Sequence, residues 1–394
     1  MYIKTANNKQ SLITENLSKR IKSLQFILIF LVVTVHTLVW FHIVIKTPEP
    51  VYVEKIRILF SDIIAKAAVP MFFLISSFFL YSKEENFVAV LKKKSRTLLL
   101  PYILWQFLYL SWTFIVQNNP VRESLATQDI RLLNFNVLDW LQAFLGNFSD
   151  KSDLNRLPYN YSLWFLRDLF ILNLFFIPIK KMIDKFPLTV LMITILLWIS
   201  DIQLWVIAPR ALLFFALGYY IIKYNITEKS VDKIRFRDVG IVYIITTLLV
   251  LFFKKELVAI EKINIITGCL FFIKASFYFI KNGKLYNSLV WLGKFVFIIF
   301  AFHALILQYV IKIMNILMPM EGGFLLLKYF SAVILTILFC IMSGIILDKL
   351  TPKIYRLLTG GRSKKQNIPT PHTSVYTPSL SSVRISSHKG GSDS

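Results

Sequence analysis

The sequence predicts an all-α, polytopic membrane protein with about ten transmembrane helices and both termini cytoplasmic. Three observations predict it. Hydrophobic residues make up 56% of the 394-residue chain and charged residues only 17%, where a soluble domain carries roughly 25% charge. The mean hydropathy is +0.61. The apolar residues fall in runs of about 20, the length that crosses a hydrocarbon core as a helix, and short basic clusters separate them. Such runs have to be helical, because a backbone in lipid must satisfy its own N–H and C=O groups.

Residues 1–22 form a polar, basic segment with no small-residue cleavage site after the apolar run that follows, so the run at 23–45 reads as a retained first span. The second span, 58–81, carries Asp62 and Lys66 at i, i+4 spacing, where they can neutralise each other. The third is 97–117. The long segment at 118–161 includes Val137–Leu145, whose apolar spacing suits an amphipathic helix lying in the membrane interface, as a lid, an acceptor surface or a lipid-packed connector. The fourth span, 162–179, holds Arg167 and Asp168. Consecutive helix positions point about 100° apart, which predicts separate partners for the two. Spans at 186–206, 209–224, 238–254 and 262–280 follow, then 288–313 with Lys294 and His303. In the last span, 324–348, Lys328 is close enough to the helix end to snorkel. These ten spans make one membrane domain, 23–350, before a cytoplasmic tail at 351–394. From Arg362 the tail is rich in Ser, Thr, Pro and Gly, which predicts disorder.

The formal net charge is +23, but its placement argues against nucleic acid. Of the 45 Lys and Arg residues, 28 fall in the segments on the N-terminal side of this topology and 12 in those on the other side. That asymmetry is the positive-inside rule and sets the orientation. No nucleic-acid-reading motif accompanies the basic clusters. Cys269 and Cys340 lie in apolar runs without CxxC spacing, so packed thiols are expected, with neither disulfide nor metal. No internal repeat is evident. Pro70, Pro101 and Pro178 all fall in the first half, unlike the matched broken helices of inverted-repeat transporters.

Ionisable side chains in lipid are costly and mark candidate sites. His36 lies about fourteen residues into the first predicted span, roughly 20 Å from its cytoplasmic end. A desolvated neutral imidazole there can take a proton from a hydroxyl, or simply hydrogen-bond between helices. Arg167 can hold an acyl carbonyl, a phosphate or a carboxylate.

Several segments together resemble the membrane-bound acyltransferase 3 family. Ile21-Lys-Ser-Leu-Gln25 leads into an apolar helix that reaches His36, and Val69-Pro-Met-Phe-Phe-Leu-Ile-Ser-Ser77 is similar to the family's PxFFxxSG segment. Arg96-Thr-Leu-Leu-Leu-Pro-Tyr-Ile-Leu-Trp105 resembles its basic, Pro-Tyr entry to the third span. Leu163-Trp-Phe-Leu-Arg-Asp168 resembles LWFLRxL, while Phe214-Phe-Ala-Leu-Gly218 and Phe297-Ile-Ile-Phe-Ala-Phe-His303 match later segments. The likeness runs over about 20–350 in order. Three positions, in two segments, depart from it. The family's LDxLR has Lys22 at its acidic position and Gln25 at its arginine position here, and Ser77 replaces the second-span glycine.

The resemblance implies an O-acyltransferase that moves an acyl group, usually acetyl from acetyl-CoA, to a hydroxyl of a cell-envelope carbohydrate or lipid-linked glycan. It implies no metal. On that reading His36 is the base or a transient acyl carrier, Arg167 the oxyanion or substrate clamp and His303 a second catalytic candidate. Trp164 and Asp168 are candidates for contacting the acceptor. Donor phosphates would meet Arg96, Lys22 and Gln25 at the cytoplasmic face, where Lys92, Lys93 and Lys94 also cluster. Expected partners are the bilayer, the glycan acceptor and envelope glycan-assembly proteins. Composition rich in Lys, Ile, Asn and Phe suggests an AT-rich prokaryote, hence a bacterial plasma membrane. The competing classes are a glycan or solute transporter using the same polar cavity, and a noncatalytic assembly subunit.

Overall fold

The structure, a computed structural model, describes residues 13–44, 49–83, 86–119, 132–146, 157–202, 204, 206–253, 258–319 and 321–361, and of 39–44 the backbone alone. The first helix, α1 (Glu15–Val44), has 30 residues and is therefore about 45 Å long. It begins eight residues earlier than its apolar run, with Glu15 in the first turn, where a negative charge complements the helix dipole. This helix is the hub of the bundle.

The second span starts as α2 (Val51–Arg57), passes through a π turn (Ile58–Ile64) and a 3-10 turn (Ala65–Ala67), and continues as α3 (Ala68–Tyr81). The third starts as α4 (Phe87–Lys94), passes a π turn (Ser95–Leu99) and continues as α5 (Leu100–Gln117). A short helix α6 (Val137–Leu145) follows, closed at its start by a reciprocal capping box between Asn136 and Asp139. Then come α7 (Trp164–Leu174), entered by a 3-10 turn (Tyr161–Leu163), and α8 (Phe176–Lys185), which meet at a 62° bend. The three prolines account for three of these irregularities, the π turn at Ile58–Ile64 excepted. A helical proline removes one N–H and crowds the carbonyl four residues back. For Pro70, Pro101 and Pro178 those carbonyls belong to Lys66, Thr97 and Leu174, which lie in the 3-10 turn, in the second π turn and at the bend.

The remaining helices are α9 (Pro187–Ile199), α10 (Pro209–Lys223), α11 (Glu228–Asp232), α12 (Phe236–Phe253), α13 (Val258–Lys281), α14 (Gly283–Gly293), α15 (Val296–Leu317), α16 (Gly322–Leu350) and α17 (Pro352–Leu358). Among the described residues there is no strand beyond an isolated bridge between Leu204 and Ile207. Among the described residues, seven helices are long and apolar enough to cross a membrane, or eight if the bent pair is one span. Of the ten expected spans, the fifth and sixth are helices of only 13 and 15 residues, α9 and α10, and fall outside that set; the ninth is displaced. Its helix breaks at Lys294 and Phe295, so the crossing segment begins at Val296 and Lys294 stands at the break. The first residues of the expected tail are also ordered. Helix α17 packs on α16 and α5, and the Trp105 indole donates to the Leu358 carbonyl at 3.0 Å. The disorder expected from Arg362 onward lies outside the described residues.

Packing centres on α1, which touches the first π turn, α3, α13, α14, α15 and α16. Large apolar side chains on the outward faces, such as Phe107, Ile245, Phe252 and Phe339, are exposed in the chain alone and suit contact with lipid tails. Helices α3 and α10 make the closest pair. A Cβ at Gly218 would lie 2.6 Å from the Cβ of Ser77 and 2.8 Å from the Leu74 carbonyl oxygen. The Ser77 hydroxyl donates to the Phe215 carbonyl. Two of the sequence segments singled out above are thus pressed face to face, with small residues permitting the approach.

Candidate active site

His36, from the C-terminal half of α1, meets two other elements. Its ring centroid is 5.1 Å from that of His303 on α15 and 4.8 Å from that of Tyr161 in the 3-10 turn before α7. His303 has 0% exposure. Its Nδ1 is 3.0 Å from the Ile299 carbonyl oxygen and 2.8 Å from that of Phe300. Carbonyls only accept, so Nδ1 carries the proton and Nε2 of the neutral ring is a bare acceptor. Among the described residues that buried Nε2 has no hydrogen-bond partner. Aromatic rings flank the pair: Tyr161 lies against His36, Phe300 lies 6.4 Å from His303, and Phe165 lies 5.7 Å from Phe300. The exposed guanidinium of Arg210, in the first turn of α10, sits 4.9 Å over the Trp164 ring and within electrostatic reach of His36.

Arg167 and Asp168 correct one expectation. They pair with each other: Arg167 Nε and Nη2 donate to Asp168 Oδ1 at 3.0 and 2.9 Å. The 100° between their Cα–Cβ directions does not prevent this, because the flexible guanidinium arm folds back around the helix to its neighbour. Each also has the separate partners expected. Arg167 donates to the carbonyls of Leu145 and Val206, and Asp168 Oδ2 accepts from the Ala208 N–H at 2.9 Å. The pair therefore ties α7 to the end of α6 and to the chain entering α10. Helix α6 is held at the same end by the Gln106 amide, which donates to the Ala143 carbonyl, and by the Tyr102 hydroxyl, which donates to that of Phe144. Tyr159 N–H also donates to Ala143, at 2.8 Å. Gln106 Oε1 accepts from Asn160 N–H at 3.2 Å, so both ends of this buried amide are used. The amphipathic helix expected at 137–145 exists, and Val137, Leu138 and Leu141 on it are exposed.

The other candidates are dispersed. Lys66 bridges Asp62 at 3.0 Å, as its spacing suggests, and also Glu261 of α13 at 2.7 Å. Lys328 does not snorkel. It has 0% exposure, and its Nζ donates to Asn315 Oδ1 at 3.0 Å and the Met318 carbonyl at 3.3 Å. The end of α15 packs over it, so its ammonium finds protein acceptors before it reaches water. Lys22 and Gln25 are half-buried on α1, with Gln25 Oε1 beside Gly293 at the end of α14. Arg96 is exposed in the π turn between α4 and α5. No hydrogen bond joins Arg96 to Lys22 or Gln25. Both cysteines are buried and free. Among the described residues no group of three or more His, Cys, Asp or Glu side chains is placed to hold a metal.

Sequence reasoning missed four polar residues. Arg20 is buried, donating to Asp232 at 2.8 Å, Ser276 at 3.0 Å and the Ile273 carbonyl at 2.8 Å, which fixes the start of α1 to α11 and α13. Gln106 in an otherwise apolar α5 was a readable signal. Glu261 and Arg210 looked like flanking charges.

The comparisons agree with this architecture. The acyltransferase domain family, acyltransferase 3, matches residues 19–345, from the buried Arg20 region to the last turns of α16. The chain is similar to the succinoglycan biosynthesis protein ExoH of Rhizobium meliloti (strain 1021), 22% identical over 184 residues. That stretch is 46% of this chain and spans 47% of the relative, about half its length. No solved structure matches the chain. With the apolar helices and the His36 centre inside the matched region, the chain belongs to the acyltransferase 3 family of multi-pass membrane proteins.

Proposed function

We propose that this protein is an O-acyltransferase that moves an acyl group, most simply acetyl, from acyl-CoA to a hydroxyl of a cell-envelope glycan or lipid-linked sugar. The observation that carries the reading is the paired histidine centre, His36 beside His303, flanked by aromatic rings within a family-matched bundle. The similar succinoglycan biosynthesis protein supports a polysaccharide acceptor.

His36 is eight residues from the Val44 end of α1, about 12 Å along the axis, and farther from the Glu15 end. The positive-inside asymmetry makes the Glu15 end cytoplasmic. An extracytoplasmic hydroxyl then has the shorter path to His36, and a cytoplasmic donor the longer. A thioester on a long flexible arm, such as acyl-CoA, meets that requirement, with Arg96 and Lys22 as candidate contacts for its phosphates. The neutral His36 imidazole takes the hydroxyl proton as the oxygen attacks the thioester carbonyl. The tetrahedral oxyanion then collapses, expelling the thiolate, which takes the proton. Cationic stabilisation of that oxyanion is assigned to Arg210, which lies over Trp164 and within reach of His36. Arg167, whose Nε and both Nη atoms already bond Asp168, Leu145 and Val206, fits a positioning role better than the clamp role expected of it. Glycan-assembly proteins of a bacterial plasma membrane are the expected partners.

The test is release of free CoA from acetyl-CoA by the protein in lipid nanodiscs, across a panel of envelope glycans, for wild type and His36→Ala. Acceptor-dependent release by wild type that the variant lacks supports the reading. Acceptor movement across the membrane without acylated product would instead establish transport.

A further inference from the structure

His303 poses a problem that its own helix does not solve. With Nδ1–H facing the Ile299 and Phe300 carbonyls of α15, Nε2 lies on the other side of a ring whose centroid is 5.1 Å from that of His36 on α1. There it is fully buried and has no donor among the described residues. A buried acceptor left unpaired costs about 1–3 kcal/mol, so a donor that reaches Nε2 is stabilising. The His36 ring is in place to be that donor. A centroid separation of 5.1 Å is what two imidazoles joined by an N–H···N bond of about 2.9 Å present. The two rings are not hydrogen-bonded as they stand, so the bond requires the His36 ring to turn.

We propose that His303 is the positioning residue of His36: its Nε2, exposed as an acceptor by the Nδ1–H lock, receives the His36 N–H and so turns the other His36 nitrogen, lone pair outward, to the reacting hydroxyl. This deepens the acyltransferase reading and rests on it for its chemical purpose. The proton balance is simple. His36 gains the hydroxyl proton on its free nitrogen, keeps its N–H on His303, and later gives the gained proton to the leaving thiolate. His303 stays neutral throughout. A base held by a third group in one tautomer is the usual arrangement for activating a hydroxyl.

The test pairs two variants. His303→Gln keeps an amide oxygen near the position of Nε2, and His303→Leu removes the acceptor. The chain has five histidines, so nitrogen-15 histidine labelling gives a short set of ring signals, and His36→Gln identifies those of His36. In lipid, wild-type His303 is expected to be protonated at Nδ1. The His36 signals are expected to move in His303→Leu and to stay close to wild type in His303→Gln. In turnover, kcat is expected to fall about ten- to a hundredfold in His303→Leu with both KM values unchanged, and to recover largely in His303→Gln. His36 signals identical in wild type and His303→Leu would overturn the proposal. So would a loss confined to KM, or a His303→Gln variant as slow as His303→Leu. The spectroscopic arm needs no turnover, so its failure is separable from failure of the acyltransferase reading.

Discussion

Two polar centres lie near the same end of the bundle and are built on opposite plans. Around Arg167 and Asp168, each charged group meets the other and then backbone: Leu145 and Val206 carbonyls on one side, the Ala208 N–H on the other. Around His36 and His303, one imidazole is locked to its own helix and a ring nitrogen is left bare beside the second imidazole. A saturated buried pair holds loops in place and has little left for a ligand. An unsaturated buried acceptor is unfavourable in isolation and becomes useful when a donor arrives. On the proposed reading the contrast separates scaffold from chemistry better than charge does, since the more highly charged centre is then the scaffold.

Four substitutions sharpen or break that comparison. The largest effect is expected for His36→Gln, which keeps a polar side chain and removes the base. Turnover should fall about 10²–10⁴-fold while the thermal unfolding of the purified protein stays near wild type. Next is Arg167→Met, which strands the Asp168 carboxylate in the bundle. Breaking a buried pair costs about 3–5 kcal/mol, so a large drop in unfolding temperature and in yield of monodisperse protein should accompany it. An unchanged unfolding temperature would show that Arg167 is not part of the scaffold.

Gly218→Ala is expected to cost about 1–3 kcal/mol by overpacking, because its Cβ would meet Ser77 Cβ at 2.6 Å and the Leu74 carbonyl at 2.8 Å. The double variant with Ser77→Gly should recover part of the loss, measured by the same thermal scan. The smallest effect belongs to Arg96→Ala. One exposed cation facing a phosphate is worth a donor KM increase of about three- to tenfold, with kcat unchanged. A larger change in kcat than in KM would move Arg96 from donor binding to the chemistry.

Much of the fold was legible because its causes are local. Apolar runs of membrane-crossing length mark the spans, and Pro70, Pro101 and Pro178 mark where helices become irregular. The amphipathic period of 137–145 and the Asp62–Lys66 spacing carried through to the structure. What stayed hidden depends on distant chain. The ninth run is continuous in hydropathy, yet its helix is interrupted at Lys294 and Phe295. Lys328 looked like a snorkelling lysine because nothing in sequence shows that Asn315 and Met318 lie over it. Arg167 and Asp168 were judged from backbone directions, which ignore the reach of a guanidinium. His36 and His303 were both visible as buried imidazoles in lipid. Their adjacency, across more than 260 residues of chain, was not. Arg210 escaped because a cation at a helix start resembles any topological flank.

The most direct test compares one member of each centre in one assay: radiolabelled acetyl transfer to envelope glycan, in nanodiscs, normalised to folded protein, for His36→Gln and Arg167→Lys. The account predicts that His36→Gln folds and is inactive, while Arg167→Lys is less stable yet transfers acetyl within about tenfold of wild type, since one charge-assisted bond more or less shifts rates by that order when it acts through positioning. A stable, fully folded Arg167→Lys that has lost transfer, beside a His36→Gln that retains it, would contradict the account and move the chemistry to the guanidinium.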